Sequence, residues 1–191
     1  ILPRTLTEHV ASDVGAFGSD FACDVLMRHG QKFLVTVESQ SGFTLVSEMM
    51  DQTADTIKEA LLHQVIPLTP ESGSTIRTDG ASSFQTLLAE TEQPGTIWAR
   101  HNIKVEIGER FNPNKNARAE NKIKECQKEF LRHCPTSHRL TALQLVEVMK
   151  TMNSRVRSNG LASREVLLSR ALITNKLIDI KSKDLSQEKF D

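Results

Sequence analysis

No charge of either sign prevails in this sequence: 24 Lys and Arg stand against 24 Asp and Glu over 191 residues. The global balance therefore names neither a nucleic acid nor an acidic surface as partner. Cysteine is scarce. Cys23, Cys126 and Cys134 are an odd count without a CxxC pair, which excludes a secreted disulfide scaffold and a cysteine-built zinc module and fits a reducing compartment. No apolar run approaches the length of a bilayer span, and the opening ILPRTLTEHV has no basic start, apolar stretch or small-residue exit of a signal peptide. An intracellular protein without a membrane partner is expected. Six prolines and nine glycines are too few for a collagen-like or low-complexity chain, and no internal repeat is present. A start at Ile1 rather than Met is expected of a piece of a longer chain or of a processed product.

With 38% hydrophobic and 25% charged residues, the chain has the composition of one soluble domain, a size that buries roughly 70% of its unfolded surface. Residues 1–19 are small and polar, with Pro3 and two glycines, and read as an arm. From Phe21 a strand-like alternation begins, a turn follows at Arg28–Gln31, and Lys32–Glu38 and Gly42–Met49 read as two further antiparallel strands. Thr53 is a plausible N-cap for a helix carrying Ala54, Ile57, Leu61 and Val65, stopped by Pro67 and Pro70. Ser74–Thr78 is a short strand running into Asp79-Gly80; Ser82–Glu90 looks helical, Thr91–Gly95 breaks it, and Asn102–Ile107 is another strand. This order predicts a mixed α/β sheet of five strands flanked by helices. Gly108–Asn116 is a loop, after which helices are expected at Ala117–Arg132, at Thr141–Arg157 ending on Asn159-Gly160, and at Ser163–Leu172. The organisation expected is a linker over 1–13, a core over 14–172 and a tail over 173–191.

Three carboxylates have no evident packing role. Asp24 lies inside the first strand on the opposite parity from Phe21, Cys23 and Val25, where a buried carboxylate needs a partner or a metal. Asp79 ends the fourth strand, the end at which open α/β sheets place ligands. Glu120 begins the long helix after the loop. With the first strand central, all three can meet at one sheet edge. Gathered carboxylates repel, and an oxygen-only donor set suits Mg²⁺ or Mn²⁺; two such ions serve in-line phosphoryl displacement. Each acid also has a bland explanation: Asp24 could pair with a base, Asp79-Gly80 is an ordinary turn dipeptide, and Glu120 could bridge Lys124 one turn on.

The segments CDVLMRHGQKFLVTVESQSGF, IRTDGASSF, NPNKNARAENKIKECQKEF and MNSRVRSNGLASREVLLSR resemble the integrase catalytic core of Ty3/gypsy-type retrotransposons, within the DDE superfamily of retroviral integrases. The likeness runs over about residues 12–172. It implies an RNase H-like fold, assigns Asp24, Asp79 and Glu120 as the catalytic, metal-binding triad with two Mg²⁺ ions (Mn²⁺ able to substitute), and implies 3′-end processing of element DNA followed by strand transfer into target DNA, in the nucleus. Forty residues separate Asp79 from Glu120, where retroviral members typically have thirty-five. Members usually also carry an upstream zinc domain and a downstream DNA-binding domain, neither of which lies in these residues, so weak DNA affinity is expected. The cores commonly dimerise, and the methionine-bearing helix Thr141–Arg157 could supply a face for a homodimer or larger assembly.

Local charge departs from global neutrality: Arg100–Arg132 holds nine bases and five acids, +4, offset by −4 elsewhere. Lys124, one turn past Glu120 on the same face, is the leading candidate for a DNA phosphate, with Lys122, Lys115 and Asn116 weaker candidates. Lys128 and Arg132 read more simply as a solvated face with i,i+4 pairs. His133, Cys134 and His138 lack a fourth ligand and fall short of a zinc pattern. Two rivals to an integrase core remain: another RNase H-like nuclease, and a host-adopted, inactive core retained as a DNA-binding or protein-interaction module.

Overall fold

The computed structural model describes residues 17–108, 117–135 and 138–180. Five strands form one sheet in the order β3-β2-β1-β4-β5, from β1 (Asp20–Arg28), β2 (Gln31–Glu38), β3 (Thr44–Met49), β4 (Ser74–Thr78) and β5 (Ile103–Ile107). The first three are antiparallel, and β4 and β5 run parallel to β1. The β1–β2 hairpin closes through His29-Gly30, both at positive φ, the two-residue turn whose twist matches that of the paired strands.

Strand parity divides the core. Phe21 and Cys23 of β1 join Leu34, Ile76, Ile103 and Val105 on one face, covered by Ile57, Leu61 and Val65 of α1 (Ala54–Val65) and by Phe84 and Leu87 of α2 (Ser82–Thr91). On the other face Leu26, Phe33, Val35 and Val46 pack against Cys126 and Phe130 of α4 (Ala117–His133) and Leu145, Val148 and Met152 of α5 (Ala142–Ser154). The Phe33 and Phe130 rings stand 5.1 Å apart, tilted by 54°. Arg28 clamps the far end of α4, donating to the Cys134 carbonyl at 2.7 Å and lying over the Phe130 ring. The open edge of β3 is capped by α5: Asn153 accepts from the Thr44 N–H and donates to the Thr44 carbonyl, and Met149 Sδ receives the Val46 N–H. An edge so occupied offers fewer groups to a foreign strand.

Three elements differ from the sequence expectation. The connection Thr91–Asn102 contains a four-residue helix, α3 (Ile97–Arg100), capped by Thr96 and anchored by the fully buried Trp98. Helix α5 stops at Ser154 rather than Arg157, because Arg155 turns extended and reaches back to Glu129 while Arg157 donates to Ser163 Oγ. Asn159-Gly160 instead turns a short bridge between Val156 and Ala162. Helix α6 (Ser163–Leu168) ends early at Ser169, which adopts the left-handed conformation. The chain then stays docked beyond the expected core boundary at 172: the Leu172 N–H donates to the buried Glu165, and the Ile178 N–H to the Ser169 carbonyl. The expected N-terminal linker and most of the expected tail lie outside the described residues. No described helix is long and apolar enough to cross a membrane.

Candidate active site

The central strand carries Asp24 on the α4 face, between the inward-facing Ala22 and Leu26, and Asp24 Oδ1 accepts the Val25 N–H at 2.7 Å. Alongside it, β4 pairs in parallel through Asp20 with Thr75, Phe21 with Ile76 and Ala22 with Arg77. Two further steps of that register set Asp79 beside Asp24 as β4 ends. Asp79 is exposed and holds its own turn, Oδ1 accepting the Ala81 N–H at 3.2 Å. Such a turn is what an Asp-Gly pair favours. Glu120 projects to solvent from the first turn of α4, whose next residues inward, Ala119 and Cys126, anchor the helix.

Asp79 and Glu120 both act on Asp24. Burial, opposed by the Val25 N–H, and then the charges of Asp79 and Glu120, push the Asp24 carboxyl up to about 6. No cation of the described residues is among these influences. A carboxylate half-withdrawn from water beside two like charges is a group that a hard divalent cation would relieve, and the all-oxygen donor set suits such an ion. Among the described residues, however, no three carboxylate, histidine or cysteine groups stand close enough to hold an ion. Asp79 and Glu120 thus stand within electrostatic reach of Asp24, and the three do not form a ligand cluster.

On the opposite parity, the buried Cys23 thiol lies against Thr78 and is raised by burial, and by Asp24 and Asp79, well above the ordinary thiol range. It therefore does not supply a thiolate nucleophile. The HCxxxH residues do not form a ligand set either: the Cys134 thiol contacts the His138 carbonyl, and His133 sits between Glu129 and Glu147.

The basic candidates separate. Lys124 is exposed on the Glu120 side of α4. Lys122 is almost fully buried and bound to Glu125 at 2.6 Å, which removes it from the surface a DNA strand would meet. Helical spacing alone carries the sign: Lys122 stands three residues after Ala119 and four before Cys126, on the inward stripe and about 200° around the helix from Glu120. Lys115 and Asn116 lie outside the described residues. Arg77 was not singled out by the sequence; it stands two residues before Asp79 and links three strands, pairing with Asp20 and with Glu106 at 3.4 Å.

Neither protein-family models nor curated proteins give a match to this chain. Among solved structures, the catalytic core domain of BIV integrase superposes with a TM-score of 0.64, covering 81% of this chain and 95% of that one at 16% identity. The fold is RNase H-like, that of an integrase core. At this identity the likeness establishes the architecture, with β1 central and β4 beside it, and leaves the chemistry to the residues.

Proposed function

We propose that this chain is the catalytic core of a metal-dependent polynucleotidyl transferase that processes the 3′ ends of an element's DNA and joins them to target DNA, an integrase of the Ty3/gypsy type. The observation that carries this is the placing of Asp24 on the central strand of an integrase-like sheet within electrostatic reach of Asp79, at the end of β4, and of Glu120, on α4. The finer assignment to Ty3/gypsy elements rests on the motif resemblance around Asp24, Asp79 and Glu120.

Asp24, at the centre, would hold both Mg²⁺ ions, with Asp79 and Glu120 each holding one. When bound, such ions supply Lewis-acid polarisation of a phosphoryl oxygen and lower the pKa of a bound water. The protein's own share is placement: two adjacent strands fix Asp24 and Asp79, and α4 presents Glu120 with Lys124 one turn on for a DNA phosphate. No protein nucleophile is required, in keeping with the buried, protonated Cys23. The setting would be the nucleus, where target DNA lies, and the working form a homodimer or larger assembly on DNA.

The alternative is a core retained as a DNA-binding or protein-interaction module. A strand-transfer or disintegration assay on branched DNA in Mg²⁺ or Mn²⁺ separates the two. Wild-type product abolished by Asp79→Asn and by Glu120→Gln supports the transferase. A folded wild type that binds Mn²⁺ and makes no product favours the module, and activity indifferent to both substitutions overturns the site.

A further inference from the structure

Behind the two strand-borne acids lies a row of buried polar groups. The parity that turns Asp24 and Asp79 toward α4 turns the residues before them, Cys23 and Thr78, toward the face covered by α1 and α2. Thr36 of β2 stands opposite Cys23 in the β1–β2 ladder, so the three side chains cross β2, β1 and β4 at one level. All three are at most 1% exposed. The hydroxyls of Thr36 and Thr78 have no oxygen or nitrogen partner among the described residues. The polar group between them is the Cys23 thiol, which lies against Thr78. A buried hydroxyl without a full hydrogen bond costs stability, and a thiol is a weak partner. Were packing alone at stake, valine would fill either threonine's place at less cost.

The main chain leaves this level unfastened on one side. Parallel pairing of β4 with β1 runs from Asp20–Thr75 to Ala22–Arg77 and stops one step short of Cys23 and Thr78. On its other side β4 stays paired to its last residue: Thr78 stands opposite Ile107, and its carbonyl accepts the Gly108 N–H at 2.9 Å. Thr78 is thus fixed to β5, and Cys23 to β2 through its pairing with Thr36. Between these two blocks, at the level of the acids, what spans β1 and β4 is the contact of Cys23 with Thr78 on the buried face. One residue on, on the opposite face, the like charges of Asp24 and Asp79 press the strand ends apart.

We propose that Cys23 and Thr78 are positioning residues for the metal site, their contact on the buried face setting the separation of Asp24 and Asp79 on the other, with Thr36 backing Cys23 from β2. The proposal rests on the transferase reading and deepens it, naming what holds two ligands at one spacing. Mg²⁺ demands near-ideal octahedral geometry, so that spacing bears on which ion the acids accept. Loss of the contact should penalise Mg²⁺ more than Mn²⁺, the less exacting ion.

The test measures Mg²⁺ and Mn²⁺ binding to the full chain by isothermal titration calorimetry, beside thermal unfolding without metal, in wild type, Thr78→Val, Thr78→Ser and Cys23→Val. Leu61→Ala, at a buried α1 position of the same core cluster, is the control for general loosening. Thr78→Val is expected to leave the metal-free Tm unchanged or raised, since it removes a poorly partnered hydroxyl. It should weaken Mg²⁺ binding by roughly 10-fold, with a smaller loss for Mn²⁺. Thr78→Ser keeps the hydroxyl and should retain the wild-type preference between the ions. Leu61→Ala should lower Tm and leave that preference unchanged. Wild-type metal affinities in both Thr78→Val and Cys23→Val overturn the proposal, as does a shift of ion preference in Leu61→Ala or Thr78→Ser as large as in Thr78→Val. A lower Tm in Thr78→Val with equal loss of both ions marks a purely structural role and overturns it too. Should Cys23→Val not fold, Thr78→Val decides alone. A wild type that binds neither ion, or an Asp79→Asn variant that binds both as wild type does, overturns the metal-site reading itself, a result distinct from the others.

Discussion

Removing the Asp24 charge should stabilise the metal-free protein, and only at neutral pH. In the fold this carboxyl titrates at about 6 against an ordinary value of 3.8. The native state therefore holds the proton more tightly than the unfolded chain. Below about pH 4 both states are protonated and the group is neutral in effect; as pH rises toward and through 6 the folded state must give up a proton it retains, and stability falls. A shift near two units corresponds to about 3 kcal/mol, which solvent contact at this half-exposed edge cuts to roughly 1–2 kcal/mol. Asp24→Asn keeps the oxygen that accepts the Val25 N–H and removes the charge. For a chain of this size the gain in Tm at pH 7.5 is roughly 3–6 °C, vanishing near pH 4. Millimolar Mg²⁺ should raise the wild-type Tm toward or past that of the variant and leave the variant unmoved. Calorimetry at the two pH values with and without Mg²⁺ checks all three statements. A loss of Tm at pH 7.5, or an equal gain at pH 4, would refute the electrostatic reasoning, because either outcome assigns Asp24 a structural hydrogen bond in place of an uncompensated charge.

Three further outcomes follow from the packing. Glu129→Ala leaves Arg155 and Arg132, both largely exposed, without the carboxylate they share, at a cost of about 1–2 kcal/mol, measured by urea denaturation; no measurable loss would mean that the cations rehydrate freely. Asn153→Ala strips the cap from the Thr44 edge of β3, costs about 1–3 kcal/mol and should promote concentration-dependent association in sedimentation velocity. Gly18→Ala should prevent folding, since at φ +80° an added Cβ would stand 1.8 Å from the Leu68 carbonyl oxygen; a native circular dichroism spectrum would contradict this.

Much of the fold was legible because its signals are local. The β4 strand ends at Thr78 with Asp79 outside it, as read from STIRT followed by Asp-Gly, and Thr53 caps α1. The parity that placed Asp24 opposite Phe21 and Cys23 is a period-two rule, and the two hydrophobic clusters obey it. Helix α3 escaped because four residues are too few to show a period; Thr96 as cap was its only sign. The end of α5 escaped because it is set at a distance: Arg155 leaves the helix to reach Glu129 of α4, a partner twenty-six residues earlier in the chain. In the site, the order of the three acids could be read, and so could the central place of β1. Their spacing could not, since it depends on the pitch of α4 against the sheet.

The neutrality of the chain has a structural explanation that composition hides. Among the described residues Glu38, Glu129 and Glu165 are buried, against the single buried base Lys122. Glu38 is consumed by the Gly18 N–H and by the N–H and hydroxyl of Ser41, and Glu165 by the N–H groups of Ala162 and Leu172. Three acids and one base taken out of solvent leave the described surface more positive than the formal count by two charges. Lys124, Lys128 and Arg132 place cations on one outward ridge. Long-range attraction acts through charges that face water, so a neutral chain with its acids folded inward can still attract a polyanion, and the attraction is directed along α4 toward the three exposed or half-exposed acids at its start. Salt should therefore weaken nucleic-acid binding with a shallow slope, close to the number of cations on that ridge. A slope far steeper than this would place the contact surface elsewhere on the molecule.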